Sequence, residues 1–210
     1  MELNEVLHKR HMVRSFSGRV PDEWTVRRVL TASRHAPSAG NTRGWRAVCM
    51  VGPEQTARFW AATTTAGWRE SSRRWPGLSR APVVVALFCS PAAYLERYSE
   101  ADKAGSGLGL EGGLEAWPVP YWFLDAGFAA LTMLLAAADA GLGACFLGNF
   151  RGEDELKRTL EVPQDGWRYV GAVLFGEAGG SDPPSTSLRR TTDVMTHNIY
   201  WNRWKTNSCS

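Results

Sequence analysis

Two groups of basic side chains carry the clearest capacity for chemistry in this chain. Lys9, Arg10, His11 and Arg14 crowd one short stretch near the start, and Arg189 and Arg190 are neighbours near the end. A cation at a helix C-terminus is mildly stabilising, and that is sufficient reason for Lys9. It is not sufficient for Arg10 and Arg14 together, followed by the apolar Phe16. Two guanidinium groups close together repel unless an anion lies between them, and a phosphate accepts such forks well. Only the fold can bring the two basic groups together.

A second stretch, Ala36-Pro37-Ser38-Ala39-Gly40-Asn41, is followed by Trp45 and an apolar run over 47–51. Five of its six residues are small or proline, so backbone there can come close to a flat ligand. Asn41 adds an amide that can both donate and accept a hydrogen bond.

Other chemistries find less support. There is no Walker loop and no GxSxG elbow, and His8, His11, His35 and His197 have no evident nucleophile partner. Gly107-Leu108-Gly109-Leu110-Glu111-Gly112 matches GxGxxG, but a polar stretch leads into it and Gly113 and Pro118 follow. A dinucleotide fingerprint needs a strand before it and a helix after it, so this one reads as a flexible loop. Cys49, Cys89, Cys145 and Cys209 have no CxxC spacing, and no Cys or His pair fits a zinc pattern. Reduced, buried thiols are expected.

The elements that must position these residues are legible from periodicity. Leu3, Val6 and Leu7 predict a helix from the start to about residues 8–10. Pro21-Asp22-Glu23 opens a second, with Val26, Val29, Leu30 and Ser33 on one face, and Pro37 stops it. Residues 45–51 predict a strand, Gly52-Pro53 a turn, and 54–64 a helix. The polar stretch 67–80 has no assigned element. The continuous apolar run 81–88 predicts a strand buried on both faces. A short helix over 91–98 precedes a Gly- and Pro-rich loop, 101–120, of the kind that shapes a binding site. Residues 125–140 predict the strongest helix, apolar nearly all round and therefore buried in a core or against another subunit. A strand over 144–147, a helix over 152–160 and a strand over 169–175 follow, with an extended tail over 177–210.

One α+β domain over 1–210 fits this length and the single composition regime. A formal net charge of +3 is too small to argue for nucleic acid. The first residues have no basic and apolar leader pattern, and the run 126–140 is short and Ala-rich for a membrane span. A cytoplasmic protein with no membrane partner is the expectation.

In order along the chain, four motifs resemble those of the FMN-dependent nitroreductase family. They are Lys9-Arg10-His11-Met12-Val13-Arg14-Ser15-Phe16; Ala36-Pro37-Ser38-Ala39-Gly40-Asn41 with Trp45; Asp125-Ala126-Gly127 leading to Gly141-Leu142-Gly143-Ala144-Cys145-Phe146-Leu147-Gly148-Asn149-Phe150; and Arg189-Arg190. The resemblance implies a nitroreductase-like α+β fold: a central mixed, mostly antiparallel sheet flanked by helices, in an intertwined homodimer with a C-terminal extension on the partner. It implies FMN at the dimer interface. Arg10 and Arg14 would bind phosphate and ribityl oxygens beside His11 and Met12, and Arg189 or Arg190 would join at the phosphate. Pro37, Ser38 and Ala39 would line the isoalloxazine from the partner, Asn41 would hydrogen-bond the ring, and backbone at Leu147, Gly148 and Asn149 would approach N5. Two departures stand out: Arg43-Gly44 where many members have Gln-Pro, and Asn149 where many have a second glycine.

The implied activity passes electrons from NADH or NADPH through FMN to a small electron-poor acceptor such as a nitroaromatic or quinone. The flavin carries the chemistry, so no side-chain nucleophile is required. Two alternatives stay open: an FMN-binding protein without turnover, and a flavin-dependent dehydrogenase or oxidase acting on a peptide or another metabolite.

Overall fold

In this computed structural model residues 1–71, 77–149, 151–180 and 198–204 are described. The amphipathic stretches fold as their spacing requires. Helix α1 spans Leu3–Lys9 and buries Val6. Helix α2 spans Glu23–Ala32, its first turn capped by Asp22, whose carboxylate accepts from the Thr25 N–H at 2.9 Å. A short 3-10 turn, Ser33–His35, continues it to the proline. Strand β1 is Trp45–Val51, and helix α3, Pro53–Thr63, starts with proline at its first position. Strand β2, Val83–Cys89, is buried along its whole length. Helix α5 covers Pro91–Tyr98 and α6 covers Tyr121–Asp139, with the short α4, Ala66–Ser71, lying before β2. Strand β3 is Gly143–Leu147, helix α7 is Glu153–Thr159 and strand β4 is Arg168–Gly176.

The four strands form one sheet in the order β1-β2-β4-β3, antiparallel at every pairing. The expected parallel component appears among the described residues only as an isolated bridge between Met12 and Ala144. The alternation of the strands divides the core. Val83, Val85, Val173 and Phe175 face α2 and α6, whereas Val84, Ala86, Ala172 and Leu174 face the side covered by α3 and α7. The sheet is thus the middle of three layers, which is why β2 reads as an unbroken apolar run.

Two elements differ from expectation. Helix α6 begins four residues before Asp125, directly after Pro120. It is long and apolar enough to cross a membrane by length and composition alone, and 44% of its most apolar window is buried inside the fold. Its outer side leaves Leu124 and Leu131 exposed. The stretch 67–80 contains most of α4, which has no apolar periodicity to announce it.

The loop 101–120 is more ordered than its composition implies. Trp117 is buried among Tyr94, Tyr98 and Trp122, and its indole N–H donates to the Leu108 carbonyl at 2.9 Å. The GxGxxG look-alike follows helix α5 and a 3-10 turn, with no strand leading into it, and only a second 3-10 turn, Leu114–Ala116, comes directly after it.

Candidate functional site

The cationic segment is pinned along β3. The Val13 N–H donates to the Ala144 carbonyl at 2.9 Å, and the Phe146 N–H reaches the Met12 sulfur at 3.4 Å. The approach is this close because residue 143 is glycine: a Cβ there would meet Val13 at 2.8 Å. Arg10 and His11 line a cleft of about 280 Å³ with Lys9, Gly141, Gly143 and Ala178. Arg14 lies further along the extended segment, where its guanidinium donates to the Met12 carbonyl at 3.2 Å. The start of the tail returns beside this segment, with the Gly179 N–H on the Ser15 carbonyl at 2.8 Å and the Ser17 N–H on the Glu177 carbonyl at 3.0 Å. Arg189 and Arg190 lie outside the described residues.

The small-residue loop has a different anchor. Asp125, in the first turns of α6 and only 1% exposed, accepts three hydrogen bonds on one carboxylate oxygen. They come from the Ser38 hydroxyl at 2.7 Å, the Ala39 N–H at 2.9 Å and the Tyr94 hydroxyl at 2.7 Å. Burial, and then the bond to Asp125, push the Tyr94 phenol above its ordinary pKa and keep it a donor. Arg97 donates to the Gly40 carbonyl at 2.8 Å and is itself held by Asp102 through two bonds of 2.7 Å. Gly40, Asn41 and Arg43 all take positive φ. A side chain at Gly40 would strike Tyr98 and one at Gly44 would strike Tyr94, so α5 sits directly against the loop. Asn41 spends its carbonyl on Arg43, whose Nε donates to it at 3.1 Å, which leaves its NH2 group to offer.

Beyond β3, Leu147, Gly148 and Asn149 line one side of a cleft of about 490 Å³. Trp60, Thr63, Thr64, Thr65 and Trp68 line the other, with Arg151 at the turn. Trp60 and Trp68 stack, centroids 6.0 Å apart and planes 22° apart. The Tyr169 hydroxyl donates to Asn149 Oδ1 at 2.6 Å, and burial raises that phenol's pKa beyond its usual range.

Two of the expected groups therefore meet in one chain: residues 10–14 run beside the strand that ends at 147–149. The loop over 36–41 is held instead at the opposite end of α6. Asp125 lies nine to thirteen residues from Leu134 and Ala138, which line the Arg10 cleft, or about 14–20 Å at the helical rise of about 1.5 Å per residue.

A model of the nitroreductase family matches residues 7–177. The chain belongs to the nitroreductase family. A relative from Rhodobacter capsulatus, named 5,6-dimethylbenzimidazole synthase, is 30% identical over 188 residues, covering 83% of this chain and 82% of that protein. One from Archaeoglobus fulgidus, named an NADH dehydrogenase/NAD(P)H nitroreductase, is 24% identical over 161 residues, covering 77% of this chain and 75% of the relative. Among solved structures, a nitroreductase from Exiguobacterium sibiricum in complex with FMN superposes with a TM-score of 0.66 at 17% identity, covering 89% of this chain and 92% of that one.

Within this nitroreductase fold, several site residues carry no signal in the basic and small-residue motifs. Tyr94, Arg97 and Tyr98 hold the loop, and their i, i+3, i+4 spacing on α5 is the pattern that would have marked them as one face. Trp60, Trp68, Arg151 and Tyr169 belong to three separate stretches of sequence and meet only through the fold. The thiols take no part: burial pushes Cys49 up to about 11 and Cys89 up to about 12, so both stay protonated at neutral pH.

Proposed function

We propose that this nitroreductase-family protein is an FMN-dependent oxidoreductase, taking electrons from NADH or NADPH and passing them to a small electron-poor acceptor. The observation that carries the reading is the Met12–Ala144 bridge, which lays the cationic segment beside the strand leading to Leu147, Gly148 and Asn149. The residues present fit the cofactor. Arg10 and Arg14, with His11 and Met12 beside them, would hold phosphate and ribityl oxygens, and Arg189 or Arg190 would close on the phosphate. Backbone at 147–149 would meet the ring edge. Bound there, FMN supplies hydride acceptance and electron transfer.

The ring's second wall would come from a partner subunit. Pro37, Ser38, Ala39 and Asn41 would supply it from the second copy, and the exposed Leu124 and Leu131 give α6 an apolar face for that copy. Asp125, Tyr94 and Arg97 then fix the wall, and Asn41 offers its NH2 group to a ring carbonyl.

Stopped-flow mixing of the holoprotein with NADH or NADPH tests this. A flavin-loaded dimer that bleaches faster than free FMN is expected. A flavin-loaded monomer in sedimentation would remove the two-subunit site, and bleaching no faster than free FMN would remove the reductase. Replacing the arginines singly, Arg10→Ala or Arg14→Ala, should weaken FMN binding by about 1.5–3 kcal/mol each, the worth of a charge-assisted hydrogen bond. Full FMN occupancy in the double variant by absorbance after desalting would contradict the phosphate assignment.

One observation favours a second reading, a flavin-dependent reaction on a metabolite: the 30% identical relative is named a synthase. Oxygen uptake with a metabolite and no nicotinamide would favour it.

A further inference from the structure

Arg43 sits in an unusual conformation, and its side chain reaches back to Asn41. Its φ is 50°, in the left-handed region, and Asn41 takes 55°. Asparagine tolerates that region, whereas arginine gains nothing there, so the surroundings must impose it. The Arg43 N–H donates to the Ser38 hydroxyl oxygen at 2.8 Å, and that hydroxyl donates onward to Asp125 at 2.7 Å. The Arg43 carbonyl accepts from the Arg46 guanidinium at 3.3 Å. With its backbone held on both sides, Arg43 places its Nε on Asn41 Oδ1 at 3.1 Å. That oxygen is then taken, and the amide can present only its N–H groups. Among the described residues Arg43 has no ion pair. It lines a cleft of about 430 Å³ with Arg34 and Arg46, and no carboxylate stands on the walls, so the field around the amide stays positive.

We propose that Arg43 is a positioning residue that holds and polarises the Asn41 amide, and so makes the bound flavin easier to reduce. The inference rests on the flavin reading above, in which Asn41 meets a ring carbonyl. Reduction of the ring adds two electrons and one proton, which leaves one extra negative charge and makes its carbonyl oxygens stronger acceptors. A cation bound to the amide oxygen strengthens donation from the amide N–H, because hydrogen bonds in a chain polarise one another. Asn41 and Arg43 are both exposed in the single chain. A ring seated on the loop excludes water from the pair and reduces the screening of its charge. Without Arg43 the amide can turn and present its oxygen, which repels a ring carbonyl. A neutral glutamine at 43 could hold the amide but not polarise it, so the departure at this position sets the flavin of this chain apart.

The test is a reductive titration of the desalted, flavin-loaded protein against a reference dye in the same cuvette. Arg43→Met should lower the equilibrium constant for two-electron reduction of the bound flavin at least tenfold. Arg43→Gln, which keeps a donor without the charge, should fall between Arg43→Met and the wild type. Arg43→Lys should keep most of the wild-type value. Asn41→Ala should lower the constant as well, and adding Arg43→Met to it should change little more, because Arg43 acts through that amide. An unchanged constant in Arg43→Met would overturn the proposal. So would an equal fall on the Asn41→Ala background, which would mark Arg43 as a distant charge only. If the wild type takes up no flavin, the flavin reading fails. The side-chain amide signals of Asn41 in the NMR spectrum of the flavin-free protein, assigned by their loss in Asn41→Ala, then decide whether Arg43 holds the amide. In Arg43→Met they should move to the positions of a free asparagine side chain, and unmoved signals would overturn the proposal.

Discussion

Asp125→Ala should lower stability by about 3–5 kcal/mol, because three donors lose one buried acceptor together. The Ser38 hydroxyl, the Ala39 N–H and the Tyr94 hydroxyl all end on the same oxygen, and the site is only 1% exposed. Water cannot readily replace the carboxylate there, so the stranded groups bear their desolvation cost. Against a typical total stability of about 5–15 kcal/mol this is a large fraction. For a chain of this size it corresponds to a fall of about 6–20 °C in the unfolding midpoint. Thermal denaturation followed by circular dichroism reads it directly. Asp125→Asn keeps one acceptor oxygen and should lose less than half as much, and Tyr94→Phe removes a single bond and should cost about 1–2 kcal/mol. An Asp125→Ala protein as stable as the parent would show that the loop is not held from α6. FMN retention after desalting gives the functional counterpart. A loop released at Ser38 and Ala39 cannot keep a fixed wall for a flat ligand, so occupancy should fall further in Asp125→Ala than in Tyr94→Phe.

What the sequence makes legible follows from which interactions are local. Strand β1 and helix α5 coincide with their expected bounds, because Trp45 to Val51 is closed by Gly52-Pro53 and α5 is opened by Pro91. The buried strand β2 is visible as an unbroken apolar run. Helix α4 is not visible, because it is short and polar and has no periodic face. The start of α6 is misplaced by four residues, although Pro120 stands where a helix start signal belongs. Family motifs locate the cationic segment, the small-residue loop and Asp125. They do not give the bond between Asp125 and residues 38 and 39, which are 87 and 86 positions away. Nor do they give the hydrogen bond from Tyr169 to Asn149, which joins residues 20 positions apart. The departure at Arg43-Gly44 has a local physical reason: Arg43 takes a φ of 50°, and a side chain at 44 would lie 2.6 Å from the Tyr94 ring. A proline there would carry ring atoms into the same space.

Gly152→Ala should be nearly as damaging as loss of Asp125, through backbone geometry and not through lost hydrogen bonds. Gly152 caps α7 with φ at +78°, in the left-handed region that costs a residue with a Cβ about 1–2 kcal/mol. The added carbon would also fall on the carbonyl oxygen of Ala62, near the end of α3, with Thr63 Cα 3.4 Å away. Backbone cannot swing aside as a side-chain tip can, so α3 and α7 must separate. Overpacking of that kind adds about 1–3 kcal/mol, for a total of about 2–5 kcal/mol. The two helices jointly cover one face of the sheet, and Leu156 of α7 is fully buried in that layer. The same shift moves Ala62 and Thr63 against Leu147 and Asn149, so it deforms the cleft that Trp60 and Trp68 line. Urea unfolding should therefore show the loss directly, as a lower midpoint. Gly67→Ala provides the comparison. Gly67 sits in α4 without a positive φ, and a methyl group there would meet no atom within 4 Å, so alanine should stabilise that helix by up to about 1 kcal/mol. Equal unfolding midpoints for the two variants would mean that α3 and α7 are not locked at Gly152, and that the cleft has more freedom than the close approach of their backbones allows.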